Sequence, residues 1–130
     1  MKAQIIKGCE SRGDADSPYL SRYPLVQFGG YRLCLHVFHR SDAIEQHDHP
    51  WFFVSLLLWR GYVEETPAGK RRYWPGAVLW RPATHRHRIE LVDERRAVSL
   101  VLMGPHRREW GFFTPAGWQG WRAYFTQNGC

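Results

Sequence analysis

Between Gly29 and Met103 turn signals recur along the chain and helical periodicity is almost absent. Gly29-Gly30, Gly61, Pro67-Ala68-Gly69 and Pro75-Gly76 punctuate it, and the patterned pieces beside them have the length of strands. The clearest piece is Tyr31 to His39. Tyr31, Leu33, Leu35 and Val37 alternate there with Arg32, Cys34, His36 and Phe38, the two-residue period that places successive side chains on opposite faces. Phe52 to Trp59 is apolar on both faces and reads as a central strand. Tyr62 to Thr66, Arg71 to Trp74, Ala77 to Arg81, His85 to Leu91 and Ala97 to Met103 follow as further short strands. Such a train predicts an all-β sandwich or barrel. Helical spacing occurs once, at Trp118 to Phe125, where Trp118, Trp121, Tyr124 and Phe125 recur at i, i+3, i+6 and i+7, so a short C-terminal helix is expected. Residues 8 to 18, rich in Gly, Ser and Asp, read as a loop.

With 130 residues and 15.3 kDa there is room for one domain spanning 1–130. Its core is expected at about 30–125, with 1–29 partly loop. A net charge of +6 and a pI near 9.6 permit an anionic small-molecule partner. The clusters Lys70-Arg71-Arg72, Arg86-His87-Arg88 and His106-Arg107-Arg108, near Trp74, Trp80 and Trp110, also raise single-stranded nucleic-acid binding. Glu64-Glu65, Glu90, Asp93-Glu94 and Glu109 interrupt the positive stretches, so nucleic acid ranks third among the readings. Three widely spaced cysteines, Cys9, Cys34 and Cys130, argue against a disulfide framework and for a reducing, cytoplasmic setting. Cys34 reads as a small buried hydrophobe. The longest apolar run, Trp51 to Trp59, is too short to span a membrane and is broken by Ser55, and the N-terminal residues lack the apolar stretch of a signal peptide. Pairing of exposed edge strands into a homodimer is left open.

Chemistry concentrates in the histidines. Four of the seven fall in two His-x-His pairs, His47-Asp48-His49 and His85-Arg86-His87. Residues two apart on a strand share a face, close enough for both imidazoles to reach one ion at about 2.1 Å. Two such pairs on opposed strands can supply three or four nitrogens to one point.

These motifs resemble the cupin superfamily. His47-Asp48-His49 is followed twelve positions later by Gly61, the interval of the family's longer first motif, while the motif's glutamate position falls on Val54. The second motif is matched by Pro82-Ala83-Thr84-His85-Arg86-His87, with Thr84 in place of Gly, His87 at the ligand position and Leu91 at the expected Asn. His47 to Trp51, Arg60-Gly61-Tyr62, Arg86 to Leu91, Gly104-Pro105 and Arg108 to Phe112 look like a little-studied group of small single-domain bacterial and phage cupin-like proteins. The resemblance implies a small antiparallel cupin-type β barrel (a double-stranded β helix, or jelly roll). It also implies one divalent metal on His47, His49 and His87.

With Val54 where the carboxylate ligand usually stands, either His85 fills a fourth place or that place stays open, and the open site is the expectation. His85 would then line the pocket as a proton carrier. Arg81 could grip a substrate carboxylate, and Arg32, with His36 behind it, could face the substrate. Trp51 walls a pocket or packs in the core. Imidazole suits iron, nickel, copper and zinc alike; iron stands first, with nickel, zinc, manganese or copper open. The leading reading is a metal-dependent cupin enzyme, a non-haem oxygenase acting on a small organic acid or thiol. A non-enzymatic small-molecule-binding or structural cupin is the alternative.

Overall fold

The computed structural model describes residues 2–130. Twelve strands and one helix follow in chain order: β1 (Gln4–Lys7), β2 (Pro18–Phe28), β3 (Tyr31–Phe38), β4 (Gln46–His47), β5 (Phe53–Trp59), β6 (Tyr62–Thr66), β7 (Gly69–Tyr73), β8 (Val78–Arg81), β9 (Arg88–Glu90), β10 (Ala97–Met103), β11 (Gly111–Thr114), β12 (Gly117–Gly120) and α1 (Trp121–Asn128). All the ladders are antiparallel. One sheet has the order β1-β2-β3-β10-β5-β8, and two three-stranded sheets have the orders β12-β11-β4 and β7-β6-β9. A single reciprocal backbone pair joins the two small sheets: His47 N donates to His87 O at 2.9 Å and His87 N to His47 O at 3.0 Å. The small sheets thus act as one second layer with a seam at its middle, and the expected all-β barrel with a short C-terminal helix is what forms.

Strand parity decides what lies between the layers. On β10, Ala97, Ser99, Val101 and Met103 are buried while Val98, Leu100 and Leu102 are half-exposed. The inward row continues sideways, with Val101 opposite Cys34 on β3 and Ser55 on β5. Cys34 is wholly buried and free, as a small hydrophobe would be. Two clusters result: Leu57, Tyr62, Leu79, Ile89, Leu91 and Ala97 at one end, and Cys34, Phe53, Val101 and Met103 at the other. The outward row is also apolar. Leu100 pairs with Leu35 and Leu56, and Leu102 with Leu33 and Val54, while Val78 and Trp80 on β8 are 65% and 58% exposed.

Several expectations shift. The N-terminal segment, expected to be partly loop, also carries an eleven-residue strand, β2. Its two prolines disguise it, and Pro24 is accommodated where the β2–β3 register slips between Pro24 and Val26. Residues 8–18 do form a loop, with one short 3-10 turn at Glu10–Arg12. The extended stretch expected from His85 is strand only at Arg88–Glu90. The helix begins at Trp121, not Trp118. Trp118 pairs with Phe113 in the β11–β12 hairpin, its indole donating to Asp48 at 3.1 Å, and the helical stripe survives as Tyr124 stacked on Phe112.

The expectation about disulfides is corrected. Cys9 and Cys130 are bonded across 121 residues, with Cα atoms 4.2 Å apart. Sequence spacing carried no sign of this because the pairing is tertiary: Glu10 N donates to Gly129 O at 3.1 Å, bringing the N-terminal loop onto the end of α1. The cysteine argument for a reducing compartment thereby loses its premise. No helix among the described residues is long and apolar enough to cross a membrane.

Candidate metal centre and its cavity

His47 ends β4 and His87 immediately precedes β9, so their backbone pair sets both rings at the seam; His49 follows two residues after His47. The three ring centroids stand 5.0, 5.0 and 4.7 Å apart, and one nitrogen from each lies within 4.8 Å of the others. His49 Nε2 and His87 Nε2 face each other at 3.1 Å. Two imidazole nitrogens each bound at about 2.0–2.1 Å to one ion, at bond angles between cis-octahedral and tetrahedral, would stand roughly 2.9–3.4 Å apart. The observed separation falls in that interval.

The second ring nitrogens say which face is committed to the protein. His87 Nδ1 lies 2.7 Å from Glu64 Oε2. A carboxylate there takes the Nδ1 proton, which leaves the Nε2 lone pair aimed at His49. His47 Nδ1 lies 3.8 Å from Asp42 Oδ2, and His49 Nδ1 is buried without a partner. Burial, reinforced by the neighbouring imidazoles, holds His47 and His49 well below the ordinary imidazole range. Burial lowers His87 as well, against the opposing pull of Glu64. All three are therefore in the neutral form that metals take. Asp48, between the two first-motif histidines, points to the other face. It accepts from Gly111 N at 2.7 Å and pairs with Arg108 at 3.0 Å, which ties the histidine loop to β11.

Glu64 on β6 is the residue the sequence reading missed. It is 4% exposed, takes Arg81 through two bonds of 2.7 and 3.1 Å, and sits 3.0 Å from His85 Nε2. Burial alone would raise its carboxyl, but the bonds from His85, His87 and Arg81 outweigh that and hold it well below the ordinary carboxylate range. Val54, where the family motif placed a carboxylate, faces outward between Trp80 and Leu102. The signal for Glu64 was its parity: it shares a strand face with the core residue Tyr62.

This arrangement reassigns two expected site residues. Arg81 does grip a carboxylate with both arms, but that carboxylate is Glu64's, and the bond raises its own pKa further. His85 lies in the turn before β9, beside Glu64, and does not share a strand face with His87 as its spacing suggested. Glu64, His85 and His87 could themselves hold an ion, yet the Arg81 guanidinium already neutralises that carboxylate and would repel a second cation. Arg32 stacks its guanidinium over Trp51, 4.7 Å from the ring.

On the inner side of the seam, a cavity of about 670 Å³ runs between the layers. His47, His49 and His87 are in its wall, with Trp51, Phe53, Phe38 and Met103. Glu64, Arg81, His85 and Arg32 are outside it.

Two opposed antiparallel layers of this kind match a known fold. A cupin-2 domain protein from Rhodospirillum rubrum superposes with a TM-score of 0.68 over 98% of this chain and 82% of its own, at 11% identity. This chain has the cupin fold. A cupin superfamily protein from Desulfitobacterium hafniense DCB-2 aligns at TM-score 0.55 and 20% identity over 66% of this chain and 77% of its own. The DMSP lyase DddQ from Ruegeria pomeroyi DSS-3 aligns at 0.57 and 20% identity, over 77% of this chain but only 56% of the lyase. No family model and no curated protein matches the sequence. At these identities the likeness concerns the fold.

Proposed function

We propose that this cupin is a metal-dependent enzyme acting on a small organic acid or thiol, with His47, His49 and His87 holding one divalent ion. The observation that carries the reading is the convergence of three neutral imidazoles, with His49 and His87 nitrogens 3.1 Å apart, in the wall of a largely apolar cavity. A divalent ion there supplies Lewis-acid polarisation and, if it is iron, redox chemistry with oxygen. The chain's own part is orientation. Glu64 fixes the His87 tautomer, Arg81 and His85 hold Glu64, and Trp51, Phe53 and Phe38 keep water from the bound substrate. Oxygenase activity with iron is the first to assay; the structural similarity to a protein described as a DMSP lyase makes elimination from a small acid the second. Nucleic acid ranks below this reading, because many of the basic side chains are internally engaged: Lys70 and Arg88 on Glu90, Arg86 on Gln46, Arg72 on Arg60 O, and Arg108 on Asp48.

The test is metal content by mass spectrometry after purification without added metal, for the wild type, His87→Ala and His85→Ala, followed by oxygen-uptake assays with short carboxylates and thiols. His87→Ala should lose most of the metal and His85→Ala should keep it. Equal loss in both would place the ion on the Glu64 side and overturn the assignment.

A further inference from the structure

The cavity contains a cation that the histidine cluster does not use. Arg22 on β2 lies opposite His36 on β3, on the inward face, and both line the cavity. Arg22 Nε donates to His36 Nε2 at 3.1 Å, and its Nη1 donates to the Gln4 side chain at 3.1 Å. Among the described residues no carboxylate pairs with it, nor with Arg32. Both guanidiniums approach Trp51, at 5.9 and 4.7 Å from its ring. Two guanidiniums around one indole, with no anion from the chain itself, repel each other. The cost shows in Arg22, which burial first and Arg32 second bring down to about 10, and in His36, which burial and the same two arginines push down to about 3. His36 is therefore a neutral acceptor that aims Arg22 without neutralising it. Arg22 is half-buried, and a guanidinium withdrawn even partly from water is favoured by an anionic partner.

We propose that Arg22 is the carboxylate-binding group of the cavity and that the ligand is a monocarboxylate with an unbranched apolar body. The carboxylate meets the guanidinium fork, with the positive charge of Arg32 nearby. The body lies along Leu20, Val101, Met103 and Phe53. The pairing of His36 with Ser99 and of Phe53 with Met103 sets the two ends two strands apart across the sheet and four residues apart along it, and the body runs from Arg22 toward Phe53, which packs on His49 with centroids 4.6 Å apart, so that its far end faces the three histidines. The last clause rests on the proposed metal function; the Arg22 site does not.

The experiment is calorimetric titration of hexanoate and of its neutral isostere hexanamide into the protein at low salt, with and without divalent metal. Hexanoate should bind at least tenfold tighter than hexanamide to wild type, in metal-loaded and metal-stripped protein alike. In Arg22→Gln the two should bind equally while metal content stays at the wild-type level, and Arg22→Lys should keep part of the preference. A preference that vanishes on stripping the metal would put the carboxylate on the ion and overturn the Arg22 site while supporting the histidine assignment. A preference that survives Arg22→Gln, absence of any preference in wild type, or displacement of hexanoate by equimolar inorganic phosphate would also overturn it. Should Arg22→Gln fail to fold, the wild-type comparison and Arg22→Lys decide. If no metal binds but the preference holds, the enzyme reading falls and the Arg22 site stands.

Discussion

At the scale of single residues, the site turns on Glu64 more than on any one histidine, because it is the group through which Arg81, His85 and His87 are connected. Glu64→Gln keeps the volume but removes the charge that fixes the His87 tautomer. Metal affinity should fall about 10- to 100-fold, read by competition with a chelator, while the fold is retained. His36, His47 and His49 set the response to pH. All three are neutral in the folded chain because burial disfavours their charge, whereas the unfolded chain protonates them below about pH 6.5. The unfolded state therefore binds more protons as pH falls through 6.5, and stability drops. Asp42 works in the other direction: burial raises it to about 7, so its contribution declines as pH rises from its ordinary value toward 7. With His87 also lowered by burial, the histidines outnumber Asp42, so stability of the metal-free protein rises with pH between pH 5 and 6.5. Urea midpoints measured across that window should rise with pH and level off above pH 7.

At the scale of elements, the seam and the turns decide whether the residues above ever meet. Gly61, the glycine of the first motif, joins β5 to β6 with φ of 67°, and a Cβ there would collide with the backbone oxygen of Tyr73. Both the left-handed backbone and the close approach forbid a side chain. Gly61→Ala should therefore cost about 2–4 kcal/mol in denaturant unfolding and loosen β6, which carries Glu64. The same elements show what the sequence could and could not disclose. Alternation marked β3 as a strand, although its apolar row of Leu33, Leu35 and Val37 faces outward and the Cys34 and His36 row faces inward. The pairing of His47 with His87 was foreshadowed by the two His-x-His motifs. Glu64 was hidden because a buried glutamate has no pattern of its own; only the three cations and rings converging on it explain its place. Arg22 was hidden because β2 alternates poorly, with Pro24 and exposed Tyr23, Leu25 and Val26 around it. His85 was misplaced because the spacing of its pair fits a strand equally well as the turn that it occupies.

For the whole molecule, what matters is how two layers with few covalent ties stay in register. The Cys9–Cys130 bond closes 121 residues into one loop, which in the chain-entropy account restrains the unfolded state by roughly 4–5 kcal/mol. Reduction, or Cys130→Ser, should lower the denaturant midpoint accordingly without changing the strand signal in circular dichroism. At its middle the second layer is joined by the reciprocal amide bonds of His47 and His87, beside His49 N donating to Ala83 O at 3.0 Å and the side-chain bonds of Gln46 to Glu65 and Arg86, and the rings of His47 and His87 belong to the candidate metal centre. Opening of the seam and release of an ion are then coupled. Amide hydrogens at His47 and His87 should exchange with solvent deuterium at a rate set by metal occupancy, which makes this pair of protons a reporter of the centre that needs neither a substrate nor an assay of turnover.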